Sequence, residues 1–103
     1  MRIIHTMLRV TDLDRSIEFY TRNFGMELLR RFELPGADAT LAFVKDPKSG
    51  MEGELTYNHD GRQYELGDAF GHLAFFVASV DDTFAKLKAD GVSFSLEPKT
   101  MKN

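Results

Sequence analysis

The sequence has no cysteine, no tryptophan and only three prolines among its 103 residues. Without cysteine the chain forms no disulfide and offers no thiolate as a nucleophile or metal ligand. It also lacks any apolar run approaching the roughly 20 residues that a membrane-spanning helix requires. The opening residues do not contain the apolar segment of a secretory signal, so we expect a cytoplasmic protein.

Neither sign of charge dominates the sequence. It carries 13 Lys and Arg against 16 Asp and Glu, for a formal net charge of -3. The charges are interspersed, without the basic stripe typical of nucleic-acid-binding proteins. With 43% hydrophobic residues, nine of them Phe, the composition and length are typical of one globular domain. We therefore expect neither a nucleic acid nor a membrane as a partner.

Apolar periodicity predicts two units with the same element order. In the first unit a strand is followed by a helix that begins near Thr11 or Asp12 and ends at Gly25. Three more strands follow, so that the four strands cover residues 3–10, 26–34, 39–45 and 51–58. The second unit has a strand at 71–77, a helix between Ser79 and Gly91, and a strand at 92–96.

The two units also match residue by residue at one constant offset. Five residues of the first unit fall on five of the second: His5, Val10, Leu13, Ile17 and Tyr20 on His72, Val77, Val80, Phe84 and Leu87. Any two β-α-β units look alike, but the coincident His argues against chance. We predict an α+β fold of paired βαβββ modules, with 1–58 as the first module, 59–70 as a linker and 71–103 as an incomplete second module.

Strand alternation places the polar candidates on common faces. His5 and Arg9 share a face of the first strand, and Glu54 and Asn58 share a face of the fourth. His72 is the repeat equivalent of His5, and the equivalent of Glu54 would lie beyond residue 103. Two His and two Glu facing one cavity would suit nickel, zinc, cobalt or iron.

These candidates compete with a simpler interpretation, because a lone His in a strand is more often a hydrogen-bonded structural residue than a ligand. Matched positions in two repeats weigh against that interpretation for His5 and His72. His59 lacks such symmetry. It lies in an Asn-His-Asp-Gly segment, and we interpret it as a solvated loop residue.

Seven segments that contain these residues resemble glyoxalase I, in order, over nearly the whole chain. They are residues 5–10, 12–17, 19–20, 41–44, 54–58, 64–67 and 70–72. Any one of them would be a weak match, whereas the set together is highly specific. Glyoxalase I belongs to the vicinal oxygen chelate superfamily, so the resemblance implies the glyoxalase/bleomycin-resistance-like fold of paired βαβββ modules.

The resemblance also implies an activity. A lactoylglutathione lyase isomerises the hemithioacetal of methylglyoxal and glutathione to S-lactoylglutathione through an enediolate, which detoxifies methylglyoxal. By resemblance, a divalent metal would be bound by His5, Glu54, His72 and a further glutamate beyond the printed sequence, with Glu54 as a candidate catalytic base. His at position 5 resembles the bacterial, nickel-preferring type, with zinc and cobalt as alternatives.

The same resemblance assigns the cosubstrate and the assembly. Arg9 and Asn58 match residues that hold the γ-glutamyl end of glutathione. In relatives the site lies between two subunits, which implies a homodimer. The sequence departs from the family at Asp68, where some relatives have a basic glutathione contact, and at Leu96, where some have Lys.

Three alternatives remain open from the sequence. An extradiol-type dioxygenase of the superfamily would use two His and one Glu with iron, but Arg9 and Asn58 favour glutathione. A non-catalytic binding module typically lacks the metal ligands. An inactive remnant is the third alternative, and a chain that ended at Asn103 would be expected to have little or no lyase activity, since one ligand is absent.

Overall fold

The structure, a computed structural model, describes residues 1–98. The chain divides into two compact units, Met1–Leu66 and a second unit that begins at Gly67. The first unit contains, in chain order, β1 (His5–Arg9), α1 (Leu13–Phe24), β2 (Glu27–Leu34), a 3-10 turn (Pro35–Ala37), β3 (Ala39–Lys45) and β4 (Glu52–Asn58). The second unit contains α2 (Val80–Ala89). The predicted α+β class is confirmed, as is the predicted element order of the first unit.

The first unit is built on one four-stranded sheet, in the order β1-β4-β3-β2. Strands β2, β3 and β4 form an antiparallel meander, whereas β1 pairs with β4 in parallel. A parallel pair needs a crossover connection, and α1 begins that connection by carrying the chain from one edge of the sheet to the other. The first and last strands of the unit are consequently neighbours.

Helix α1 begins and ends where the sequence predicts. The Asp12 side chain accepts a hydrogen bond from the backbone N–H of Arg15 at 3.1 Å and so caps the first turn. At the other end Gly25 adopts a left-handed conformation, with φ +66°, that favours glycine. Arg31 of β2 forms an ion pair with Asp14 in the first turn. Neither α1 nor α2 has the length and apolar composition of a membrane-spanning helix.

The sheet has two chemically different faces. On one face α1 packs over a core centred on Leu13, Val44 and Leu55. On the other face β3 contributes a second buried cluster of Ala39, Leu41 and Phe43. Because β3 is central, its residues are buried on both faces from Ala39 to Val44, and this strand is the rigid platform of the first unit.

The second unit confirms one predicted element and contradicts two. Helix α2 is capped by the Ser79 hydroxyl, which accepts from the backbone N–H of Asp82 at 3.1 Å, and its Phe84 packs against Phe94 with ring centroids 4.8 Å apart. The predicted strands at 71–77 and 92–96 are wrong, because neither segment is a strand in the structure.

The described residues contain no pairing partner for 71–77, which explains the first of these errors. In the first unit, β1 has β4 as its neighbour in the sheet. No strand within residues 1–98 pairs with 71–77 in this way. A strand without a neighbour leaves its backbone N–H and C=O groups without ladder partners. The apolar run of 71–77 is therefore insufficient by itself for strand formation.

We predict that Leu55→Ala lowers the free energy of unfolding of the first unit by ~2–5 kcal/mol, because a leucine that is only 1% exposed would leave a cavity under α1. Urea titration followed by circular dichroism measures this change. Leu66→Ala is the control, since Leu66 is 69% exposed and its loss should change stability by less than ~0.5 kcal/mol. Equal midpoints for the two variants would contradict this description of the core.

Candidate active site

The pairing of β1 with β4 brings two predicted metal ligands together. In the parallel register Met7 lies opposite Glu54 and His5 lies opposite Glu52. His5 and Glu54 project from the same face of the sheet, and His5 Nε2 lies 3.3 Å from Glu54 Oε1. The His5 side chain is 33% exposed and the Glu54 side chain 16%. The two donors therefore converge at a half-buried position that a small ligand can reach.

The second oxygen of Glu54 is held by a neighbour on the same strand. Thr56 Oγ1 donates a hydrogen bond to Glu54 Oε2 at 2.6 Å, and Thr56 is buried. The carboxylate is thus oriented at both oxygens, by Thr56 on one side and by His5 on the other. Thr56 is not among the predicted site residues, although its position two residues after Glu54 places it on the same strand face.

An aromatic ring supports the same site from β3. Phe43 lies opposite Glu54 in the antiparallel register and meets the His5 ring edge to face, with centroids 5.3 Å apart. The Arg30 guanidinium lies over the Phe43 ring, 4.0 Å from the ring centroid. Its Nη2 is also 3.5 Å from Glu52 Oε1. Such cation–π contacts hold a guanidinium over an aromatic face. Buried Phe43 therefore contacts both the His5 ring and the exposed Arg30 guanidinium.

The two predicted glutathione-binding residues lie on the same sheet face. Arg9 ends β1 and is exposed. Asn58 ends β4, where its Nδ2 donates to the hydroxyl of Tyr64 at 2.7 Å. This contact leaves the amide oxygen of Asn58 available as an acceptor.

The loop between Asn58 and Tyr64 is held by an Asp–Arg pair. Arg62 Nε donates to Asp60 Oδ2 at 2.7 Å, and the backbone N–H of Arg62 donates to Asp60 Oδ1 at 3.2 Å. The side-chain hydrogen bond from Arg62, with the backbone hydrogen bond beside it, lowers the pKa of Asp60. These bonds are local to residues 60–62, and the loop that contains them brings Tyr64 back to Asn58.

His72 belongs to the second unit. There it is exposed and lies outside any helix or strand. No three His, Asp or Glu side chains form a metal-binding group anywhere within residues 1–98. The pair of His5 and Glu54 is therefore the part of the predicted donor set that the first unit assembles by itself.

His59 lies in the turn after β4 and is exposed, as the sequence predicts, but it also makes contacts that the sequence did not indicate. His59 Nδ1 lies 3.1 Å from Asp38 Oδ1, and Nε2 lies 2.7 Å from Thr40 Oγ1. The Thr40 hydroxyl donates its hydrogen to Glu33 Oε1 at 2.8 Å, so it accepts from His59. The His59 ring connects the end of β4 to β2 and β3, and no periodic pattern of residues indicates these contacts.

Comparison with known proteins agrees with this arrangement. Residues 2–103 match the family model described as the Glyoxalase/Bleomycin resistance protein/Dioxygenase superfamily. The chain is 48% identical over 103 residues to the probable lactoylglutathione lyase of Vibrio parahaemolyticus, covering 98% of this chain and 75% of that protein. It is 44% identical over 104 residues to the lactoylglutathione lyase of Escherichia coli O157:H7, covering 99% and 77%.

Solved structures give the same result. The trypanothione-dependent glyoxalase I of Leishmania major superimposes with a TM-score of 0.84 at 39% identity, over 96% of this chain and 73% of that one. Glyoxalase I of Zea mays superimposes with a TM-score of 0.86 at 37% identity, over 98% of this chain and 37% of the longer plant chain.

These matches first establish the class of protein: the chain belongs to the Glyoxalase/Bleomycin resistance protein/Dioxygenase superfamily. Within that superfamily the identities of 44–48% over most of both chains place it in a particular family. The chain is a member of the lactoylglutathione lyase, or glyoxalase I, family of enzymes.

We predict that His59→Ala lowers the free energy of unfolding of the first unit by ~1–2 kcal/mol, since Asp38, Glu33 and Thr40 each lose a partner. Urea denaturation of the purified variants is the measurement. His72→Ala is a matched control because the exposed His72 lies outside the first unit. If the two variants unfold at the same urea concentration, the fastening role of His59 is refuted.

Proposed function

We propose that this chain catalyses the isomerisation of the methylglyoxal–glutathione hemithioacetal to S-lactoylglutathione. The observation that carries the proposal is the convergence of His5 Nε2 and Glu54 Oε1 at 3.3 Å from two parallel strands. The family relationship supports the reaction, since the relatives at 44–48% identity are lactoylglutathione lyases. The substrate follows from the exposed Arg9 and from Asn58 on the same sheet face.

The chemistry of the donor set fits a divalent cation. An imidazole nitrogen and a carboxylate oxygen side by side suit nickel, zinc or cobalt, and we favour nickel. Ligating carboxylates are themselves hydrogen-bonded in metalloproteins, and Glu54 is bonded in this way by Thr56. We propose that His5, Glu54 and His72 hold the ion, which when bound supplies Lewis-acid polarisation of the substrate oxygens.

A homodimer accounts for the distribution of these donors. The first unit contributes two donors, His5 and Glu54, and its described residues include no three-donor group. We propose that His72 of a second copy contributes to the same site, so that each active site lies between subunits. We also place the protein in the cytoplasm, which agrees with a chain that has no cysteine to oxidise.

Glu54 is the proposed base. Its Oε2 is engaged by Thr56, so Oε1 would serve both as the ligand atom and, on leaving the ion, as the atom that takes up the proton. Glu54 Oε1 accepts the proton from the carbon that bears sulfur and hydroxyl, and the electron pair left behind forms an enediolate. The proton then returns to the adjacent carbon and the hydroxyl proton moves to the neighbouring oxygen, which gives the thioester without any net gain or loss of atoms or electrons.

Arg9 and Asn58 would hold the γ-glutamyl end of glutathione at a distance from this centre. Each lies four residues past a ligand, Arg9 past His5 and Asn58 past Glu54, or ~13 Å along an extended strand. A guanidinium pairs well with a carboxylate, and the free amide oxygen of Asn58 can accept from an ammonium group. These two residues therefore bind opposite ends of an α-amino acid.

The experiment that tests the proposal is an assay of the purified protein with methylglyoxal, glutathione and nickel, following thioester formation. We expect His5→Ala, Glu54→Ala and His72→Ala each to reduce nickel content and activity, with activity falling ~10²-fold or more where the base is lost. His59→Ala is the control, since it removes the remaining His of the sequence without touching the site. Unchanged metal content in all three site variants would overturn the assignment.

A separate prediction concerns glutathione. Arg9→Ala should weaken the binding of an S-alkylglutathione by ~1.5–3 kcal/mol, because a charged hydrogen-bond partner of a carboxylate is lost. Nickel content should stay at the parent level, since Arg9 is not a ligand. Calorimetric titration measures the affinity. Arg2→Ala, which removes an exposed cation before β1, is the control, and equal affinities for the two variants would exclude Arg9 from the glutathione site.

A further inference from the structure

We propose that Thr56 is a positioning residue for Glu54, which restricts this carboxylate to coordination through a single oxygen. The inference rests on the proposed metal site and goes beyond it, because it assigns different tasks to the two oxygens of one ligand. Oε2 is reserved for the Thr56 hydroxyl, and Oε1 is presented towards His5.

The geometry of β4 makes this assignment possible. Glu54 and Thr56 are two residues apart and therefore project from the same sheet face. Thr56 Oγ1 lies 2.6 Å from Glu54 Oε2. A carboxylate only accepts hydrogen bonds, so the single hydroxyl hydrogen of Thr56 points at Glu54. Short bonds of this kind, to an ionised acceptor, are about twice as strong as those between neutral groups.

The surroundings of Thr56 keep the hydroxyl in place. Thr56 is 8% exposed, and its backbone lies between Leu41 on β3 and Arg9 on β1 in the sheet register. As a β-branched residue in a central strand it has little freedom about χ1. The Glu54 carboxylate is consequently bonded by a fixed group rather than by exchanging water.

The other oxygen of the Glu54 carboxylate, Oε1, faces His5, the second proposed metal ligand. Glu54 Oε1 lies 3.3 Å from His5 Nε2, while Oε2 is directed at Thr56. If the hydroxyl were removed, the carboxylate could rotate and both oxygens would compete for the ion or for water. Removing such an outer partner of a ligand typically lowers metal affinity ~10–100-fold.

A second threonine provides a matched control within the same sheet. Thr40 is also buried, at 6% exposure, and its hydroxyl also donates to a glutamate, Glu33 Oε1, at 2.8 Å. In the register Thr40 lies opposite Tyr57 of β4, so it projects from the opposite face to Glu54. Thr40→Val therefore removes an equivalent hydrogen bond without affecting the proposed site.

The test is calorimetric titration of the full chain with nickel alone, for the parent protein and four variants. Thr56→Val keeps the branched shape and loses the hydroxyl. Thr56→Ser and Thr56→Ala lose the same methyl group and differ in the hydroxyl, so this pair carries the test if the valine variant does not fold. We expect Val and Ala at position 56 to bind nickel ~10–100-fold more weakly than Ser, and Thr40→Val to bind like the parent.

The outcomes separate the inference from the proposed function. A parent protein that binds no nickel overturns the proposed metal site and this inference with it. A parent that binds nickel, with Thr56→Ala equal to Thr56→Ser, overturns the role of Thr56 alone. Weak binding by Thr40→Val as well as by Thr56→Ala would show a general effect of sheet stability and would also refute the positioning role.

Discussion

The parallel pairing of β1 with β4 is the constraint on which the site depends. Without it, residues 5–9 would be an extension at the edge of a three-stranded meander, and His5 would have no fixed position. With it, His5 is held against Glu54 at 3.3 Å and Arg9 is placed beside Thr56 in the register. The crossover that makes this pairing feasible is itself stabilised by burial, since α1 packs over Val44 and Leu55.

The two faces of the sheet have different roles: one packs against α1 in the core, and the other presents the candidate site residues. The face under α1 contains the buried aliphatic side chains Val44 and Leu55. The other face contains Phe43, which is buried, and around it polar side chains that remain partly accessible, such as His5, Glu54 and Arg30. The central strand β3 is buried on both sides. It packs in the core on one side and supports His5 and Arg30 through Phe43 on the other.

Much of the first unit could be predicted because its signals are local. Asp12 and Gly25 mark the ends of α1 by capping chemistry, and an apolar segment ended by the turn pair Asp46-Pro47 identifies β3 with its observed bounds. The first strand is shorter than predicted, since Ile3 and Ile4 are 76% and 60% exposed and lie before the paired residues of β1. Strand 71–77 was predicted wrongly for a related reason: a sequence shows which segments favour a strand, but not whether a neighbour is available.

For the candidate site, too, features set by neighbouring residues in the chain could be predicted, whereas contacts between distant residues could not. Strand alternation and the family resemblance identified His5, Glu54, Arg9 and Asn58 as candidates. The contacts of His59 were out of reach, because they join residues from β2, the turn before β3 and the end of β4. Thr56 lies between these cases, since its position was visible in the sequence but its hydrogen bond to Glu54 was not.

The register of β4 also limits which insertions and deletions the chain can accept during evolution. Glu54, Thr56 and Asn58 reach one sheet face only because they differ by even numbers of residues and pair in a fixed register with β3. Losing one residue inside β4 would turn part of this set towards α1 and bury a carboxylate in an aliphatic core. The connection from Asp46 to Met51 lies outside the strands and can change length without that penalty, so divergence in length should accumulate there rather than within β4.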